Sequence, residues 1–292
     1  MPLVATLVSS PTAAQVTPAL VADAARALRG TPRILAASVA AEFAFEGEAA
    51  AAEADLRALV AGLPVDVAVQ PAEFRRKRLL LADMDSTMIG QECIDELAAE
   101  LGLKAEIAAI TERAMHGEIA FEPALRERVA LLKGLDAGVI DRVIAERITL
   151  TPGAETLIAT MRAAGAYCAL VSGGFSAFTS VVGGRIGFNE HRSNTLHVAE
   201  GRLAGTVAEP ILGRAAKVEA LIELRDRLGL QPQETMAVGD GANDLGMIQE
   251  AGTGVAYHAK PKVAAEADIR IDHADLTALL YIQGYAAAEF AR

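Results

Sequence analysis

Asp83 and Asp85 stand two positions apart in Leu79-Leu-Leu-Ala-Asp83-Met-Asp85-Ser-Thr87, directly after a short apolar run. Two carboxylates that leave a strand together can divide a reaction, one attacking an electrophile while the other handles a proton. Taken alone, the pair would also suit an acidic turn or a helix cap. Three more segments put polar groups where strands are expected to end. Val171-Ser172-Gly173-Gly174-Phe175 places a hydroxyl and main-chain N–H groups where an anionic oxygen could sit, although a plain tight turn would read the same way. Lys217 falls near the start of an expected helix, a position that by itself suits a solvated surface lysine. Gly239-Asp240-Gly-Ala-Asn243-Asp244-Leu245 crowds two carboxylates and an amide onto a glycine-rich strand end, and hard oxygen donors at that density suit Mg²⁺.

The chain that must position these groups has 292 residues, enough for about two domains. Strands at 3–9, 33–45 and 64–70, with Ala-rich helices at 15–29 and 47–62, predict a small α+β unit over residues 1–72, in which 33–45 reads as one long strand. Glu73-Phe-Arg-Arg-Lys-Arg78 reads as a solvated basic connector into a second domain, residues 73–292. Residues 79–83 then suit a buried parallel strand. From about 90 to 150 only helical patterns occur, at 92–101, 104–116, 121–133 and 137–147, which predicts an inserted helical cap. The α/β alternation resumes afterwards, with strands at 167–172, 235–240, 253–257 and 268–272 and a hairpin around Glu200-Gly201. The fold class is therefore α/β: a doubly wound parallel sheet with right-handed crossovers. In such sheets ligands bind at the carboxyl ends of the strands, where Asp83, Asp85, Ser172, Asp240 and Asp244 would converge.

Composition narrows the partners. A hydrophobic fraction of 52% supports a sizeable core, and 38 acidic against 27 basic residues leave a charge of −11. Nucleic acid and anionic membrane are disfavoured by that surface, and an anionic substrate needs a dedicated positive site. The uncharged runs 1–22 and 163–184 are interrupted by Pro or Gly, so neither a membrane span nor an export signal is expected. Cys93 and Cys168 show no metal-ligand spacing, and a reducing cytoplasm is the expected location.

As an ordered set the four motifs resemble the haloacid dehalogenase superfamily of aspartate-nucleophile phosphatases, over about residues 79–282. An Asp at position 85 sets the chain apart from the ion-pumping ATPases and the dehalogenases of that superfamily. The closer resemblance is to the phosphoserine phosphatase family, through Asp83-Met-Asp-Ser-Thr-Met-Ile89, Glu92 and Phe121-Glu-Pro-Ala-Leu-Arg-Glu-Arg128-Val. The resemblance implies hydrolysis of O-phosphoserine, the last step of serine biosynthesis, with Asp83 as nucleophile and Asp85 as acid and base. It further implies Mg²⁺ held by Asp83, the main-chain carbonyl of Asp85 and Asp240. Asp244 would orient Lys217 or a metal-bound water. Ser172, Gly173, Lys217 and Asn243 would hold the phosphoryl group. Glu92 would take the substrate ammonium and Arg128 its carboxylate, with Met115 and Phe121 lining the cap. A phosphotransferase of the same fold using homoserine, or an amino-acid-sensing regulatory protein, are the competing readings. The N-terminal unit resembles an ACT-type domain, departing from it by the single strand at 33–45, and a homodimer through it is an expectation of the same kind.

Overall fold

The computed structural model describes residues 2–291 apart from 116 and 117, with the side chain of Met115 also outside the described residues. The N-terminal unit runs β1 (Leu3–Ser9), α1 (Pro18–Leu28), β2 (Thr31–Ala36), β3 (Ala40–Phe45), α2 (Ala49–Leu59) and β4 (Val65–Pro71), and its antiparallel sheet has the order β2-β3-β1-β4. This is the ferredoxin-like arrangement. Residues 33–45 are thus a hairpin, contrary to the single strand expected. The reversal at 37–39 lacks Gly, Pro or Asn, and is made by Ser38 in the left-handed region at φ 58° with Val39 N–H bonded to Ala36 O.

Strand alternation gives this sheet two buried faces. Leu3, Ala5, Leu7, Phe43, Phe45 and Val67 pack with Leu20 and Leu56 of the two helices. The opposite face, including Val8, Ala40 and Ala68, joins the main core of the rest of the chain. Polar groups there are matched across the junction: the Asp66 carboxylate accepts the main-chain N–H groups of Asp272 (2.8 Å), His273 and Ala274 (2.8 Å), and Gln70 Nε2 donates to Ile282 O at 2.6 Å. The basic segment after β4 is solvated only in part: Glu73, Phe74, Arg76 and Arg78 are exposed, but two of its residues turn inward. Arg75 pairs with Glu42, and Lys77, only 6% exposed, donates from Nζ to Gln233 O at 2.7 Å.

The second sheet is parallel and begins with β5 (Leu79–Ala82), whose four residues are all buried as a strand covered on both faces requires. Four helices follow: α3 (Cys93–Ala99), α4 (Lys104–Met115), α5 (Phe121–Leu131) and α6 (Val139–Glu146). Then come α7 (Ala154–Ala163), β6 (Tyr167–Phe175), α8 (Ser176–Ile186), β7 (Glu190–Asn194) and the antiparallel pair β8 (Leu196–Ala199) and β9 (Arg202–Val207). The chain ends with α9 (Arg214–Arg227), β10 (Thr235–Gly239), α10 (Leu245–Glu250), β11 (Gly254–Tyr257), α11 (Pro261–Glu266), β12 (Ile269–Ile271) and α12 (Ala278–Ile282). The order β12-β11-β10-β5-β6-β7 places β5 between two strands reached in opposite directions, so a crevice opens at its carboxyl end. The β8/β9 hairpin lies against the inserted helices, with Gly134 N–H bonded to Leu203 O at 2.8 Å.

The sequence reading differs from this sheet in two places. Edge strand β7 was not expected, because Glu190-His-Arg-Ser-Asn194 is polar and only partly buried. Strand β6 runs on to Phe175, so Ser172, Gly173 and Gly174 leave the ladder as an irregular strand end and not as a turn into the helix. No helix among the described residues is long and apolar enough to cross a membrane.

Candidate active site

The apolar run of β5 ends at Asp83, which is 4% exposed. One of its oxygens, Oδ1, accepts the Met84 N–H at 2.8 Å and stands 2.7 Å from Lys217 Nζ. Lys217 reaches it from the first turns of α9 and is itself 1% exposed; its ammonium also donates to Asp244 Oδ1 at 2.6 Å. The other Asp244 oxygen accepts the Gly241 N–H at 3.0 Å. A lysine that reads as a surface residue is therefore the buried counter-charge of two strand-end carboxylates. Burial pulls its ammonium down, but Asp244 and Asp83 raise it further, so the net shift is upward and it stays charged.

Oxygens of Asp83, Asp240 and Asp244 all lie within 4.8 Å of one another. Burial, then Asp244, pushes Asp83 well above the usual carboxylate range, and the same two causes with Glu92 lift Asp240 to about 7. Three buried acids facing one ammonium form an under-compensated set of hard oxygen donors, which fits a divalent cation.

Asp85 is held by the start of α3. Its carboxylate accepts the Cys93 N–H at 3.2 Å and the Cys93 thiol at 3.1 Å, and burial followed by Glu92 raises it to about 7. Ser86 follows in the left-handed region at φ 56° and donates its hydroxyl to Glu92 Oε1 at 2.7 Å. Arg128 faces the same space from α5: its guanidinium donates to Ala124 O and Thr111 Oγ1, both at 3.3 Å, and Glu92, Asp95 and Asp85 partly offset the burial that lowers its pKa. Ser172 is buried and accepts the Gly174 N–H at 2.9 Å. Phe121, at the start of α5, lies over two glycines: a Cβ at Gly173 would fall 3.1 Å from its ring and one at Gly213 3.2 Å, so a side chain at either position would need the ring to give by a few tenths of an ångström. Asn243 is half-buried beside Asp244.

Residues 80–249 match the family model of haloacid dehalogenase-like hydrolases. The chain belongs to that family. Within it the resemblance is to phosphoserine phosphatases. The enzyme of that name from Polaromonas sp. is 44% identical over 224 residues, covering 75% of this chain and 95% of the other. The one from Streptomyces coelicolor is 42% identical over 253 residues, 86% of this chain, but the match spans only 62% of that protein's length. The unliganded crystal structure of a probable phosphoserine phosphatase from Vibrio cholerae superposes with a TM-score of 0.79 at 32% identity, covering 99% of this chain and 88% of that one.

In this haloacid dehalogenase-like hydrolase the crevice brings together Asp83, Asp85, Lys217, Asp240 and Asp244, with Ser172, Gly173 and Asn243 at the neighbouring strand ends and Glu92, Arg128 and Phe121 on the cap side. Met115 lies outside the residues whose side chains are described. Ser86, Cys93, Thr111 and Asn194 were missed from sequence. Only Cys93 carried a signal, its place eight residues beyond Asp85 at the start of an expected helix.

Proposed function

We propose that this chain hydrolyses O-phosphoserine to serine and phosphate, with Asp83 as nucleophile and an aspartyl-phosphate as intermediate. The observation that carries this reading is the different treatment of two neighbouring acids. Asp83 has one oxygen pinned by Lys217 and the Met84 N–H, which leaves the other to attack phosphorus. Asp85, lifted to about 7, holds a proton near neutrality and can return it.

In the first half-reaction the free oxygen of Asp83 bonds to phosphorus as the bond to the serine oxygen breaks, and Asp85 delivers its proton to that oxygen. In the second, the Asp85 carboxylate takes a proton from water as the water oxygen displaces Asp83 from phosphorus. Lys217, Ser172, the Gly173 N–H and Asn243 share the charge on the phosphoryl oxygens. Asp83, the main-chain carbonyl of Asp85 and Asp240 would hold Mg²⁺, which would supply the positive charge that lets carboxylates and phosphoryl oxygens occupy one cleft. Asp244, with both oxygens already taken by Lys217 and Gly241, orients the lysine.

Glu92 and Arg128 give the cap one acid and one planar base, the complement of an amino acid's ammonium and carboxylate. This supports phosphoserine as substrate; the terminal step of serine biosynthesis, in the cytoplasm, is the place proposed for that reaction. The exposed edge of β2 is where a second copy would pair. Phosphate release across a panel of phosphomonoesters, with and without homoserine, tests the reading. Phosphoserine should be preferred with water as acceptor; transfer to homoserine would make the chain a phosphotransferase, and no release would favour a regulatory protein.

A further inference from the structure

Asn194 ends the unexpected edge strand β7, is 3% exposed and has no place in the reaction described above. Its surroundings are specific. Val171 of β6 pairs with Arg192, and the next pair is Phe175 with Asn194, so β6 advances four residues where β7 advances two. The two extra residues push Ser172-Gly173-Gly174 out of the ladder toward the crevice, which removes the strand partner that the Gly173 carbonyl would otherwise have. The Asn194 side chain takes that place. Nδ2 donates to Gly173 O at 2.9 Å and to Leu212 O at 3.2 Å, while Oδ1 accepts the Leu212 N–H at 2.7 Å. Leu212 immediately precedes Gly213, the residue that caps α9, and α9 carries Lys217.

We infer that Asn194 is a positioning residue for phosphoryl transfer: it ties the strand end bearing Ser172 and Gly173 to the segment bearing Lys217, and so fixes the spacing of the two arms that hold the phosphoryl oxygens. The same tie sets the distance between Gly173 and Gly213, the two glycines on which Phe121 rests, so the seat of the cap depends on it as well. A buried amide with three main-chain partners is the right group for this, since a carboxylate would set negative charge against two carbonyls and an apolar side chain would leave all three main-chain groups without partners.

This inference rests on the phosphoryl-transfer reading, which Asp83→Asn tests separately: activity in that variant overturns the reading, whereas the variants below address only Asn194. Asn194→Ala and Asn194→Asp are compared with Thr179→Val, which removes a buried hydroxyl bonded to His191 and Ser193 of the same strand without touching the Ser172 or Leu212 segments. Turnover of phosphoserine, inhibition by orthovanadate as a phosphoryl mimic, and thermal midpoint are measured on each. Both Asn194 variants should lose about ten- to a hundredfold in kcat and bind orthovanadate correspondingly more weakly, with a smaller change in KM because Glu92 and Arg128 still hold the amino-acid end. Thr179→Val should lower the midpoint without weakening orthovanadate. If Asn194→Ala does not fold, Asn194→Asp, which keeps the size and the acceptor for Leu212, decides. Wild-type kcat and orthovanadate affinity in a folded Asn194 variant, or an equal loss of both in Thr179→Val, would overturn the inference.

Discussion

Cys93 donates both its main-chain N–H and its thiol hydrogen to the carboxylate of Asp85. Burial, and the negative charge of Asp85 itself, push the thiol well above its ordinary range, so it stays protonated and remains a donor. The pair fixes the Asp85 carboxylate against the start of α3, within electrostatic reach of Asp83 and Lys217.

The pH dependence follows from the same acid. Asp85 is raised to about 7, so the fold holds its proton more tightly than the unfolded chain does; the acid form dominates below that value and is lost above it. Departure of the serine oxygen needs the acid form. The expected kcat/KM for phosphoserine therefore falls as pH rises through about 7, and Asp85→Asn should lose that limb together with most of the rate. For p-nitrophenyl phosphate, whose leaving group needs no proton, the limb should be weak. Equal alkaline limbs on both substrates would remove Asp85 from the role of acid.

Recognition of the amino-acid end is separable from chemistry. Removing the charged donor in Arg128→Ala should raise KM for phosphoserine about ten- to a hundredfold. p-Nitrophenyl phosphate has no carboxylate, and its KM should change far less. Parallel losses on both substrates would mean that Arg128 only holds α4 against α5 through Thr111.

The acids around Lys217 also make a thermodynamic prediction. Asp85 and Asp240 have folded values near 7, above the ordinary carboxylate value, so each contributes stability at low pH that is lost as pH climbs from about 4 to about 7. A divalent cation binds the ionised forms and offsets that loss. Mg²⁺ should therefore raise the thermal midpoint more at about pH 8 than at about pH 6, and Asp240→Asn should reduce the shift. A shift independent of pH, or undiminished in Asp240→Asn, would contradict the reading of these residues as the cation site.

At the junction with the N-terminal sheet, Asp66→Ala should cost about 1–3 kcal/mol by leaving three main-chain N–H groups without their acceptor, with KM for phosphoserine unchanged. Denaturant unfolding and steady-state kinetics measure both. The sheet also covers α12, all of whose five residues are buried, so a chain beginning near Phe74 should be much less soluble than the full chain. A soluble, fully stable truncated chain would show that the junction matters less than its hydrogen bonds imply.

Much of this was legible in the sequence because the local signals agree. Leu79-Leu-Leu-Ala82 followed by Asp83 announces a buried parallel strand opening onto a site, and the glycine-rich segment at 239–245 announces another. What escaped is what depends on partners distant in sequence. Lys217 reads as surface from its local sequence and is marked only by the motif resemblance; its burial between two carboxylates from other strand ends is what the structure adds. Strand β7 is too polar to read as a strand, and with it Asn194 was invisible. Arg76 and Arg78 are exposed as read, but Arg75 and Lys77 turn inward to Glu42 and Gln233, which lie far away in the chain. The turn at Ser38 has none of the residues that usually mark one.

The central claim is covalent catalysis by Asp83, and trapping the intermediate tests it most directly. Enzyme mixed with phosphoserine, quenched within a single turnover and reduced with borohydride should yield homoserine at position 83, since an acyl phosphate is reduced to the alcohol while a free carboxylate is not. Asp83→Asn should give no such product and no turnover. Homoserine at another position, its absence under conditions where phosphate is released, or turnover by folded Asp83→Asn would contradict the account.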